Sequence, residues 1–244
     1  MSGAPVLSVR GLTAGYDGVA VVHDLDLEVG AGEVVALLGA NGAGKTTTLL
    51  AISGLVPILA GTVEVDGRGV HQRWRSGVAD VWQLARRGVA HVPEDRGLFF
   101  DLTAAENLRL GRPRRGDAVP MDQILTWFPA LEKVLGRKAG LLSGGEQQML
   151  ALARAVIGTP ALLLVDEMSL GLAPIVVEQL LPVLRSIATE TGAGVALVEQ
   201  HVGLVLSVAD RASLLRQGRV VFAGTAAELR DRPELVASGY LGEA

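Results

Sequence analysis

Much of the apolar character of this chain is gathered in short unbroken runs, Val34-Val35-Ala36-Leu37-Leu38, residues 161–165 and Val195-Ala196-Leu197-Val198, and that pattern leaves few folds open. A strand with one wet face alternates apolar and polar residues, whereas a run that is apolar at every position must be covered on both sides. The runs therefore read as central strands of a mainly parallel sheet with helices over both faces, an α/β fold. Hydrophobic residues make up 49% of the 244, yet no run reaches the roughly 18 to 20 apolar residues that a helix needs to cross a bilayer. The chain is expected not to span a membrane. Its length suits one large α/β domain, or a core with a smaller inserted lobe.

Between these runs the pattern changes in a definite order. Residues 19–29 alternate in places, and Gly15, Gly18, Gly30 and Gly32 mark turns, so an antiparallel β portion is expected ahead of the parallel sheet. Residues 45–53 read as a helix with Leu49, Leu50 and Ile52 as its apolar stripe. Residues 61–67 read as a strand and turn, 68–87, which hold Trp74 and Trp82, as a loop followed by a short helix, and 89–92 as another strand that Pro93 ends. From 103 to 134 the periodicity becomes helical, with helices expected over 104–110 and 121–127 and a linker at 111–116. This is the expected inserted helical lobe, about 95–157, with 1–94 and 158–244 forming the core.

Gly39-Ala40-Asn41-Gly42-Ala43-Gly44-Lys45-Thr46, followed by Thr47, fits G-x-x-x-x-G-K-[ST] and lies between an apolar strand and a helical stripe, the context that gives the pattern meaning. Its glycines allow backbone N–H groups to face phosphates, Lys45 can reach the β and γ phosphates, and the Thr46 hydroxyl can serve Mg²⁺. A glycine-rich turn without a ligand is the plainer alternative. The run 161–165 then delivers Asp166 and Glu167 to the carboxyl end of a buried strand, where open α/β sheets bind their ligands. Asp166 is expected to hold Mg²⁺ and Glu167 to orient and deprotonate an attacking water. The competing possibility is a solvated Asp-Glu start to a helix.

A third segment, Leu142-Ser143-Gly144-Gly145-Glu146-Gln147-Gln148, lies between the other two. Ser143 and Glu146 have the spacing of a capping box before an apolar helix. Two glycines in the first helical turn cost about 1 kcal/mol each relative to alanine, so something other than helix stability calls for bare backbone there. A helix N-terminus carrying a serine hydroxyl and glycine N–H groups suits an anion. The chain thus holds two phosphate-binding elements for one acid pair.

This run, set between the glycine-rich loop and the Leu162-Leu163-Leu164-Val165-Asp166-Glu167 strand, resembles the signature of the ATP-binding cassette (ABC) ATPases, and the resemblance extends over essentially the whole chain. It implies a P-loop NTPase core with an antiparallel β subdomain and an inserted helical subdomain. It also implies that two cassettes pack head to tail, so that Ser143, Gly144, Gly145, Glu146 and Gln147 of one close on ATP held by the other. By the same resemblance Tyr16 stacks on adenine, Glu167 is the catalytic base and residues 169–172 cross the dimer interface. Three further strings, residues 92–99, 169–174 and 197–201, are similar to branched-chain amino acid importer ATPases of the LivF type. Such ATPases work with a related ATPase, two membrane permeases and a substrate-binding protein, at the cytoplasmic face of the inner membrane. Residues 96–102 correspond to the region that docks a permease helix.

The sequence departs from the general family pattern at three places. Glu94 stands where glutamine is usual, next to the γ-phosphate and the metal; Gln200 falls at the switch position usually held by histidine, with His201 one residue later; and Met168 replaces a proline. Either Gln200 or His201 could face the γ-phosphate. His23, His71 and His91 lack metal-ligand spacing and read as packing or surface residues, and Arg112, Arg114 and Arg115 as a solvated loop. The absence of cysteine excludes disulfides and thiolate metal sites, and a net charge of −4 gives no general attraction to nucleic acid. ATP and Mg²⁺ are the expected cofactors. The alternatives are a non-transport cassette and a nucleotide-dependent regulator without turnover.

Overall fold

The structure, a computed structural model, describes residues 4–70, 81–113 and 117–241, with side chains to residue 237. Trp74, His71, Arg114 and Arg115, which entered the sequence reading, lie outside the described residues. Two sheets form. The first is antiparallel, in the order β2-β1-β4-β5, with β1 Leu7–Tyr16, β2 Val19–Val29, β4 Ile58–Val65 and β5 Arg68–Gly69. Asp17 and Gly18, both at positive φ, make the two-residue turn between β1 and β2, as an Asp-Gly pair does in tight hairpins.

The second sheet has the order β10-β9-β3-β8-β7-β6, with β3 Val34–Leu38, β6 Val89–Val92, β7 Leu162–Asp166, β8 Gly194–Val198, β9 Arg211–Arg216 and β10 Arg219–Thr225. All neighbours are parallel except β9 and β10. The three apolar runs supply its central strands β3, β7 and β8, which are buried at every position. Their side chains divide between two cores. Val34, Ala36, Leu38, Leu163, Val165, Val195 and Leu197 face one, while Val35, Leu37, Leu162, Leu164, Ala196 and Val198 face the other. Each core has its own cover, so truncating one of these leucines to alanine should cost about 2–5 kcal/mol.

Helix α1 (Lys45–Ile52) and the antiparallel sheet cover the second core. A helix α2 (Val81–Arg86) precedes β6. On the first core lie α3 (Ala104–Gly111), α4 (Met121–Trp127), 3₁₀ turns at Pro129–Val134 and Ala139–Leu141, α5 (Gly144–Val156) and α6 (Pro174–Thr191). Leu108, Ile124, Trp127, Phe128 and Leu131 of this helical segment share one apolar cluster with Val92, Leu163 and Val165 of the sheet. A short α7 (Val202–Val205) follows β8, and α8 (Ala226–Arg230) and α9 (Pro233–Leu241) end the described chain. Among the described residues no helix is long and apolar enough to cross a membrane.

Parallel strands carry their carboxyl ends to one edge. That edge receives the loop after β3, Glu94 after β6, Asp166 and Glu167 from β7, and Glu199 and Gln200 after β8. The fold therefore brings residues up to about 160 positions apart to a single line, where a parallel sheet binds its ligands.

Candidate nucleotide and catalytic site

Between β3 and α1 the chain cannot pass without glycine. Gly39 has φ 148°, and a Cβ there would sit 2.4 Å from the Leu215 carbonyl oxygen; Gly44, the residue before α1, has φ 101°. No side chain caps α1 and no acidic residue occupies its first turn, which leaves the helix N-terminus open toward an anion. Lys45 is almost wholly buried, donating to the Ala40 carbonyl at 3.1 Å and lying 3.5 Å from a Glu167 carboxylate oxygen. Asn41, Gly42, Gly44, Thr46 and Thr47 line a cleft of about 340 Å³ together with Lys45, Glu94, Glu167 and Gln200. Gly39, Ala40 and Ala43 shape the loop without lining that cleft, and Ala43 is buried in the core beneath it.

Asp166 is the last residue of β7 and only 2% exposed, so the alternative of a solvated helix start does not hold. The Thr46 hydroxyl donates to its carboxylate at 3.2 Å. Burial, aided by the negative charges of Glu167 and Glu94, pushes the Asp166 carboxyl up to about 6 against the opposing pull of Thr46 and Lys45. Glu167 takes φ 42°, a left-handed conformation costly for a non-glycine residue, and its N–H donates to the Val198 carbonyl at 2.9 Å. Its carboxylate accepts from the Gln200 amide at 2.8 Å.

Gln200, rather than His201, is thus the residue that meets Glu167. His201 is exposed and does not line the cleft around Lys45; with Gln200, Val202, Gly203, Leu204 and Val236 it borders a second shallow cleft of about 470 Å³. Tyr16, the last residue of β1, is about half exposed and does not line the cleft around Lys45; Val21 of β2 does. Sequence reasoning gave no role to Val21 or Glu199, and placed Leu170 only in the loop expected to cross the dimer interface. Val21 carries no chemical signal of its own. Glu199 did offer one, a charged residue closing an apolar strand as Asp166 does.

The signature run is ordered by the expected cap. Ser143 Oγ accepts the Glu146 N–H, and the Glu146 carboxylate accepts both the Ser143 N–H at 2.7 Å and its hydroxyl at 2.8 Å. These bonds hold the Glu146 carboxyl below the usual range. Arg96, at φ 68°, donates to Gln147 Oε1 at 2.7 Å and Gln148 Oε1 at 3.1 Å, tying the loop after Glu94 to the first turns of α5. None of residues 143–147 lines the cleft around Lys45. Farther along that loop Phe99 and Phe100 are half exposed, and Leu141 of the second 3₁₀ turn is 67% exposed. Buried Asn107 braces the loop, accepting the Phe99 N–H at 3.0 Å and donating to the carbonyls of Phe99 and Thr103.

Residues 22–169, which hold all three phosphate and acid motifs, match the family model described as ABC transporter. The chain belongs to the ABC transporter family. It is an ATP-binding, ATP-hydrolysing cassette subunit of a transporter. A high-affinity branched-chain amino acid transport ATP-binding protein, BraG of Pseudomonas aeruginosa, is 40% identical over 240 residues, covering 97% of this chain and 100% of BraG. The lipopolysaccharide export system ATP-binding protein LptB of Escherichia coli K12 is 32% identical, covering 97% of each. Among solved structures, an ATP-binding subunit of an ABC transporter superposes with a TM-score of 0.77 at 30% identity, covering 96% of this chain and 95% of that one. The expected ABC ATPase fold, with mixed parallel and antiparallel sheets and helices, is the fold observed.

Proposed function

We propose that this ABC ATPase powers an importer of branched-chain or related amino acids. The 40% identity to BraG over nearly the whole of both chains carries the reading. The similarity to LptB, whose name is that of an export system, keeps export as the second reading at 32% identity. In the proposed assembly two cassettes, this chain with itself or with a related one, pack head to tail beneath two permeases at the cytoplasmic face of the inner membrane. A substrate-binding protein delivers the cargo, and no nucleic acid takes part. The exposed Phe99 and Phe100, braced by Asn107, suit docking of a permease helix.

Lys45 and the open N-terminus of α1 would hold the phosphates of ATP, and the exposed ring of Tyr16 would stack on adenine. Thr46 and Asp166, with Glu94 beside them, are hard oxygen donors, and a divalent cation there would offset the burial that chiefly raises Asp166 and the added repulsion of Glu167 and Glu94. Bound there, Mg²⁺ would neutralise charge on the phosphates. Glu167 would take a proton from the attacking water, aimed by the amide of Gln200 on one of its oxygens and by Lys45 near the other. Gln200 would then donate toward the γ-phosphate in place of a histidine, and His201 would act there only after a rearrangement of the strand end. Ser143 and the N–H groups of Gly144 and Gly145 would grip the phosphate of the other cassette, a use supported by their distance from the chain's own cleft. The capping carboxylate Glu146, held by Ser143, and Gln147 would fix that turn.

Glu167→Gln tests the chemistry: phosphate release should cease while an ATP-dependent dimer accumulates, and unchanged hydrolysis refutes the assignment. Lys45→Ala should abolish ATP binding, and unaltered affinity contradicts the cradle. For the cargo, co-purification with the permeases encoded beside the gene and a screen of amino acids for stimulated hydrolysis decides between import of amino acids and another load.

A further inference from the structure

Glu199 is a fully buried carboxylate with no part in the chemistry described above. Oε1 accepts the Ser169 backbone N–H at 2.8 Å, and Oε2 accepts the Ser169 hydroxyl at 2.5 Å and the Gln200 N–H at 3.2 Å. Burial raises its pKa, while the bonds from Ser169 and Gln200 act the other way. Burying a carboxyl group is costly unless donors converge on it, and all three donors here belong to the two segments that flank Glu167. On one side, Ser169 begins the turn in which Leu170 N–H returns to the Glu167 carbonyl at 3.1 Å and Leu172 N–H to the Ser169 carbonyl. That turn also runs beside the signature, since a Cβ on Gly144 would meet Leu172 at 3.5 Å. On the other side, Gln200 carries the amide that holds the Glu167 carboxylate.

We propose that Glu199 is a positioning residue for hydrolysis: it ties the turn after Glu167 to the backbone of Gln200 and so fixes the carboxylate and the amide in one register. The inference rests on the reading of Glu167 as the base. Glu167 occupies a left-handed backbone conformation that its own preferences do not favour, so its orientation must be imposed by neighbours, and Glu199 touches both of them. The residue acts on placement rather than on ATP affinity, because its bonds run to Ser169 and to the backbone of Gln200 and not to Lys45, Thr46 or Thr47, which line the cleft for phosphate.

The test is a steady-state series on the purified chain with Mg²⁺ and ATP. Glu199→Ala should lower kcat about tenfold or more with KM for ATP changed less than about threefold, since misplacing a base by a fraction of an ångström costs rate without costing binding. Glu199→Gln keeps the shape and can still accept from Ser169 N–H and donate to its hydroxyl, losing only the Gln200 bond, so it should recover most of kcat. Ser169→Ala removes one bond and should lower kcat about threefold or more, and it decides the matter should Glu199→Ala fail to fold. Ser169→Ala and folded Glu199→Ala at wild-type kcat, or a rise in KM alone, overturn the proposal. If Glu167→Gln still hydrolyses ATP, the base assignment fails and this inference with it. If Glu167→Gln is dead and the Glu199 series is flat, only the positioning role fails.

Discussion

Gly144 is the residue at which stability and function should separate most cleanly. It opens α5 directly after the Ser143 cap, with an ordinary helical backbone rather than a positive φ. A Cβ built there would meet Leu172 Cδ2 at 3.5 Å, Arg96 Nη2 at 3.6 Å and the Gly171 carbonyl at 3.9 Å, all ordinary contacts. Nothing in the folded chain therefore requires glycine. Replacing it with alanine removes backbone freedom from the unfolded state and should stabilise the isolated chain by about 0.5–1 kcal/mol, less than a mid-helix exchange because the site lies in the first turn. For a chain of this length that is a rise of about 1–4 °C in Tm. The same methyl group would cover the N–H groups proposed to grip the neighbour's phosphate. Chemical unfolding without nucleotide and ATP-dependent dimerisation in a Glu167→Gln background measure the two effects on one variant. Gly144→Ala should unfold at higher urea and dimerise about tenfold more weakly or worse. A destabilised chain refutes the packing argument, and undiminished dimerisation refutes the role in trans. Gly145 is a poorer probe, since its Cβ would lie 3.2 Å from Val176 and that contact offsets the helical gain.

Burial lowers the pKa of His91 from 6.5 to about 4, with Asp95 pulling the other way. The unfolded chain then binds a proton that the folded chain refuses, so stability is complete above about pH 6.5 and lost as pH falls toward 4. Allowing for partial exposure, the loss is about 1–3 kcal/mol, and the stability difference between wild type and His91→Gln, followed by urea titration from pH 7 to 4, should change by that amount. Asn107→Ala should cost about 1–3 kcal/mol, because buried Asn107 accepts the Phe99 N–H and holds the loop carbonyls, and hydrogen exchange should quicken over residues 99–103. Arg96→Ala should destabilise by a similar about 1–3 kcal/mol, because Gln148 is buried with its Nε2 already unpaired. A double-mutant cycle with Gln147→Ala should show coupling of about 0.5 kcal/mol or more, and additivity would deny the tie between the two segments.

Local chemistry was legible in the sequence wherever neighbours along the chain decide it. The three apolar runs were strands because no other arrangement covers every side of so short a run, and the Ser143–Glu146 cap needed only a spacing of three. The strand expected at 61–67 starts earlier, at Ile58, because pairing with β1 extends to Ala14 and recruits residues whose own pattern is weak. The helix expected at 104–110 runs one residue into the expected linker, to Gly111, and the helix expected at 121–127 has those bounds.

What the sequence by itself determined is the set of reactive groups and their order: an anion loop, an acid pair and a second anion turn between them. Only the tertiary structure decided which groups meet. Beyond the end of β8 the Gln200 amide reaches Glu167 while His201, at the start of α7, lies outside the cleft around Lys45, a difference that motif counting left open. Glu199 and Ser169 lie thirty residues apart and became partners only because β7 and β8 are parallel neighbours that end at one edge. A motif records which side chains are present, whereas distance and burial, the quantities that set a carboxylate's charge and aim, belong to the packed sheet.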